Sequence, residues 1–104
     1  MINNNLFVYG KLCSIETRLE LLNRVIYSTP KTLNGYNSSG TLVIENETYK
    51  YAFEDSSSYI IGQLIQLTPD EFLEIDIWET NAYVRKEIIL SDGIVAWMYV
   101  KNEN

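Results

Sequence analysis

Apolar positions along this chain fall mostly in short runs broken by polar clusters, a strand-rich rhythm with two helical interruptions. Positions 5–9 form a short apolar run closed by Gly10 and predict a buried strand. From position 14 to about 25 the apolar residues Ile15, Leu19, Leu22 and Ile26 recur at helical spacing, with Ser14 as N-cap and Glu16 in the first turn. Positions 32–36 and 41–45 predict two strands, with the polar cluster 37–40 as the turn between them. A further strand is predicted over 49–53, followed by a polar loop over 54–58. Positions 59–67 are the longest β-like run and predict a central strand, with Gly62 marking a bulge or a close backbone approach. Thr68, Pro69 and Glu71 then spell a capping box with proline in the first turn, so a second helix starts there and runs to about Glu79. Positions 83–90 and 94–100 flank Ser91, Asp92 and Gly93 and predict a hairpin, and 101–104 a polar tail.

Strand, helix, several strands, helix and hairpin predict an α+β fold: a small mixed β-barrel or sheet with two packed helices. At 104 residues, 46% hydrophobic and 21% charged, the expectation is one domain spanning 1–104. Eight basic residues against fourteen acidic ones leave a net charge of −6 and no basic stripe, which argues against nucleic-acid and anionic-membrane partners. No segment reads as a signal or membrane span. The single cysteine, Cys13, suits a reducing interior, so a cytoplasmic location is expected.

Histidine is absent. That excludes Ser-His-Asp and Cys-His hydrolysis and His-ligated metals, and leaves proton chemistry near neutrality to a perturbed Asp, Glu, Lys, Tyr or the thiol. On a helical wheel of the second helix, Asp70, Glu71 and Glu74 share one arc, while Phe72, Leu73, Ile75 and Ile77 define the opposite one. Asp76 and Glu79 fall on the apolar arc. Desolvation and mutual repulsion would raise a carboxyl pKa there and make a base available; equally, both are explained as structural acids that pair with Arg85 or cap amides. The turn Tyr9-Gly10-Lys11-Leu12 leaves a strand ahead of a helix, where converging amides can hold an oxyanion or a glycine can serve geometry alone. Lys11 either adds a cation to that nest or is solvated. Cys13 has no base partner, Trp78 and Trp97 read as packing residues, and there is no phosphate-binding glycine loop or metal-spaced cysteine cluster.

LFVYGKL (6–12) together with IDIWETNAYVR (75–85) resembles the gamma-glutamylcyclotransferase-like family, which includes the gamma-glutamylamine cyclotransferases. The family pattern is a strand ending in Y-G-T/S-L and, late in the chain, L-D-x-x-E-G-x-x-Y-x-R before a closing hairpin. Tyr9, Gly10 and Leu12 match the first motif, and Asp76, Glu79, Tyr83 and Arg85 the second. Leu33-Asn34-Gly35-Tyr36, Tyr49 and Ile61-Gly62-Gln63-Leu64 fall in the order of further landmarks. The resemblance implies cleavage of a gamma-glutamyl amide by its own α-amine, releasing 5-oxoproline and an amine or amino acid without metal or cofactor. It also implies Glu79 as catalytic acid/base, residues 9–12 including Lys11 as substrate cradle, Tyr83 as pocket wall, and Asp76 and Arg85 as supports. Lys11 stands where the family has Thr or Ser, Thr80 where it has Gly, and Lys50 where many members have Pro. A non-catalytic small-molecule-binding or protein-interaction module, with Lys11 filling the loop and paired to Glu79, is the competing expectation.

Overall fold

Backbone pairing joins five strands into one sheet, in the order β2-β3-β1-β5-β4, in a computed structural model that describes residues 2–103. Met1 and Asn104 of the expected domain and tail lie outside the described residues. Along the chain the elements are β1 (Asn5–Val8), a 3-10 turn (Lys11–Cys13), α1 (Ile15–Leu22), β2 (Thr29–Ile44), β3 (Glu47–Gln66), α2 (Pro69–Glu79), a second 3-10 turn (Thr80–Ala82), β4 (Tyr83–Ile89) and β5 (Val95–Lys101). β1 runs antiparallel to β3 and parallel to β5, so the first strand is the seam between the long β2–β3 hairpin and the closing β4–β5 hairpin.

The sheet is curled into a half-barrel and packs on both faces. Successive side chains of β1 alternate sides. Leu6 and Val8 join Leu12, Ile26, Ile65, Leu67, Phe72, Ile75 and Tyr99 in the core beneath the helices, while Phe7 joins Leu33, Ala52, Ile60, Ile88, Ala96 and Met98 within the curl. Polar links close the curl: the Ser91 amide donates to the Thr32 carbonyl at 2.9 Å, and Lys31 and Lys86 reach Asp92 and Glu54 at 2.6 and 2.8 Å. Gly62 marks a close approach, since a Cβ there would stand 2.4 Å from the Val8 carbonyl oxygen and 2.7 Å from the Phe7 ring.

Several local expectations are corrected. Residues 37–40 are not a turn and 54–58 are not a loop; both continue strands across register irregularities at Asn34/Tyr36 and Asn37/Gly40. Asn37 donates across the pair to Asp55 and Ser58 at 3.3 Å, and Ser58 in turn donates to Asp55 along β3 at 2.7 Å, so polarity here does not signal chain reversal. The reversal falls at Glu45 and Asn46, both left-handed (φ 51° and 68°), as a two-residue hairpin requires. α1 stops at Leu22 because Asn23 turns left-handed (φ 59°) and its N–H bonds the Leu19 carbonyl. The helix also buries Arg18 and leaves Ile15 and Leu19 exposed, so of the expected apolar set only Leu22 and Ile26 pack against the core. Finally, Leu73 and Ile77 of α2 are exposed, and β5 extends through Lys101 into the predicted tail.

Candidate functional site

α2 is fixed at its start and delivers its functional groups at its end. Thr68 Oγ1 accepts from the Glu71 amide at 3.2 Å while Glu71 accepts from the Thr68 amide at 2.9 Å, and Arg24 grips the same Glu71 at 2.6 and 2.7 Å. With the register set, Phe72, Ile75, Asp76 and Glu79 fall at i, i+3, i+4 and i+7 on the face turned to the sheet. Phe72 and Ile75 are buried and the two acids half-buried. Thr80 ends the helix at φ 62°, a strained geometry for a β-branched residue at the position where glycine belongs to the family pattern.

The two carboxylates have different surroundings. Asp76 accepts from Arg85 Nε and Nη2 at 2.9 and 3.1 Å and from the Tyr99 hydroxyl at 2.5 Å. Arg85 is itself held over the Phe72 and Trp97 rings, 4.8 and 5.0 Å from their centroids. Asp76 therefore has a full set of partners. Glu79 has no hydrogen-bond or ion-pair partner among the described residues, and no buried side-chain oxygen lacks one, so its carboxyl keeps access to solvent. Burial pushes its pKa up to about 7, the Asp76 charge adds to the rise, and Lys11 partly opposes it.

Around Glu79 stand the other residues singled out in the sequence. The Tyr9 hydroxyl donates to the Tyr99 carbonyl at 2.8 Å and accepts from the Ala52 amide at 3.0 Å, tying β5 to β3. The Tyr83 hydroxyl donates to the Lys50 carbonyl at 2.7 Å. Both phenols are pushed up, Tyr83 to about 12, by burial first, with a contribution from the charge of Glu79. In the 3-10 turn the Cys13 amide bonds the Gly10 carbonyl at 3.0 Å and the Ser14 amide the Lys11 carbonyl at 3.2 Å, while the amides of Lys11 and Leu12, first in the turn, have no partner within it. A Cβ on Gly10 would meet nothing within 4 Å. Leu12 buries its side chain in the core. Lys11 makes no ion pair with Glu79; its ammonium lies 4.0 Å from Glu47 and 4.6 Å above the Tyr49 ring, and acts on Glu79 only through its charge.

Beside the helix end a cleft of about 440 Å³ is lined by Asp76, Thr80, Asn81, Tyr83, Arg85 and Trp97. Among the described residues no group of three or more Cys, Asp or Glu side chains is placed to hold a metal ion, and no helix is long and apolar enough to cross a membrane. Chemically, the arrangement offers one desolvated, unpaired carboxyl that can change protonation state near neutrality, beside a short turn with free amides. Sequence reasoning missed Tyr99, which holds Asp76, and Arg18, whose side chain bonds the Leu12 carbonyl. The hydroxyl of Tyr99 in an apolar strand was the one available signal for the first.

Comparison with known proteins places these features in a wider setting. The family model described as gamma-glutamyl cyclotransferase, AIG2-like, matches residues 6–104. Two Arabidopsis thaliana proteins of known solution structure superpose with a TM-score of 0.79 each, at 21% and 20% identity, covering 96% and 100% of this chain and 69% and 66% of theirs. A solved gamma-glutamyl cyclotransferase superposes with a TM-score of 0.72 at 13% identity, covering 93% of this chain and 65% of its own. At such identities the likeness is one of fold, and the chain spans only about two thirds of each neighbour. No curated protein matches the sequence significantly.

Proposed function

The chain belongs to the AIG2-like gamma-glutamyl cyclotransferase family, and on that footing we propose that it cleaves a gamma-glutamyl amide by intramolecular acyl transfer. The α-amine nitrogen of the substrate attacks its own γ-carbonyl carbon, a C–N bond closes the five-membered ring, and the original amide C–N bond breaks. Glu79 takes the proton from the attacking amine and passes it to the departing nitrogen, so the products are 5-oxoproline and a free amine or amino acid, with no water consumed. Ring closure is intramolecular, and well-oriented intramolecular reactions reach effective molarities of about 10⁵–10⁸ M, so the protein has chiefly to bend the substrate and move protons. In the cradle of residues 9–12 the free amides of Lys11 and Leu12 suit the first task and Glu79 the second, with Tyr83 as a wall.

The observation that carries this reading is the state of Glu79: desolvated, unpaired, and titrating at about 7, where a carboxyl serves as base and then as acid at neutral pH. The position of Lys11 supports the enzyme over the binding module, because its ammonium rests on Glu47 and Tyr49 instead of filling the loop against Glu79. A free thiol at Cys13 fits a reducing cytoplasmic setting within the same proposal. Incubating the protein with a panel of gamma-glutamyl amines and amino acids and quantifying 5-oxoproline by chromatography tests the reading. Release from at least one member is expected, and release from none defeats it.

A further inference from the structure

Arg18 is the one fully buried charged residue among the described residues, 2% exposed, and no carboxylate pairs with it. Its guanidinium donates to two backbone carbonyls: Nε and Nη2 to Ile26 at 3.0 and 2.7 Å, and Nη1 to Leu12 at 2.8 Å. A buried cation with only neutral partners is costly. Packing alone would be met more cheaply by leucine or methionine, so the donors are what the position uses.

The carbonyls explain the choice. Backbone bonds of the 3-10 turn and of the start of α1 use the Gly10, Lys11 and Ser14 carbonyls, which leaves that of Leu12 for a side chain. The Leu12 carbonyl and the Cys13 amide belong to one rigid peptide plane. That plane is held on one side by Arg18 and on the other by the Gly10 carbonyl, 3.0 Å from the Cys13 nitrogen. We propose that Arg18 is the positioning residue of the substrate cradle: its planar fork clamps the Leu12 peptide to the Ile26 link and so fixes the direction in which the Lys11 and Leu12 amides face a ligand. The ligand, a gamma-glutamyl compound, is that of the function proposed above. The clamp itself is a property of the turn.

Arg18→Lys keeps the charge but loses the fork, and Arg18→Met keeps an apolar stem without donors. In both, hydrogen exchange of the Cys13 amide, followed by NMR, should quicken by about tenfold or more, the scale of one lost charge-assisted hydrogen bond. With a substrate that the wild type turns over, KM should rise by a similar factor while kcat and the pH limb set by Glu79 stay in place. Cys13 exchange at the wild-type rate, or unchanged KM with reduced kcat, overturns the proposal, as does failure of both variants to fold, which would make Arg18 a stability residue only. A wild type that turns over no gamma-glutamyl compound removes the cyclotransferase reading, and the exchange measurement still decides whether Arg18 holds the turn.

Discussion

Replacing Glu79 by glutamine should change how stability depends on pH, and the size of the change follows from the site. An acid that titrates at 4.5 when unfolded and at about 7 when folded holds its proton more tightly in the native state. The native state therefore binds more protons across that window, and its stability falls as pH rises. Below about pH 4.5 the contribution is fully present; above about 7 it is lost. At about 1.4 kcal/mol per tenfold in proton affinity the upper bound is roughly 3 kcal/mol. Partial solvent access of the carboxyl makes about half of that the working figure, or about 6–12 °C in Tm for a domain of this size. The absence of histidine makes the test clean, and the carboxylates Glu16, Glu54, Asp55, Glu71 and Asp92 are shifted downward and act below the window. Thermal unfolding by circular dichroism from pH 5 to 8 should show the wild type losing Tm relative to Glu79→Gln. Parallel curves for the two proteins would refute the claim that Glu79 is desolvated and unpaired.

Asp76→Asn removes the neighbouring charge that helps to raise Glu79, so the acidic limb of kcat/KM should move below pH 7, and loss of the acceptor for Arg85 Nη2 together with the charge of the pair should cost roughly 1–3 kcal/mol in urea unfolding. Tyr9→Phe deletes the hydroxyl that bridges the Tyr99 carbonyl and the Ala52 amide; a loss of roughly 1–3 kcal/mol is expected from the same assay. Gly62→Ala drives a methyl to 2.4 Å from the Val8 carbonyl and should destabilise by about 1–3 kcal/mol or more, read as a lower Tm.

Local chemistry that acts within a few residues was legible in the sequence. The capping box at Thr68 and Glu71 set the start of α2 and, through helical periodicity, the shared face of Asp76 and Glu79. The short apolar run of β1 and the close approach at Gly62 were legible for the same reason. What the sequence misread depends on distant partners. The cluster at 37–40 has turn composition, yet Asp55 and Ser58 from the opposite strand satisfy Asn37, and the strand continues. Arg18 sits at a helical position that reads as solvent-facing until the carbonyls of Leu12 and Ile26 are brought to it by the fold. For the site, the misplaced acids were visible as a pair, but only Arg85 and Tyr99, arriving from β4 and β5, separate the occupied Asp76 from the unoccupied Glu79.

Glu79 as the group that moves protons during cyclisation is the central claim, and 5-oxoproline release measured side by side for wild type and Glu79→Gln, on a substrate the wild type accepts, tests it most directly. General acid/base catalysis contributes about 10²–10⁴-fold, so a fall in kcat of that order is predicted, with the variant still folded. Equal turnover by the two proteins would contradict the account.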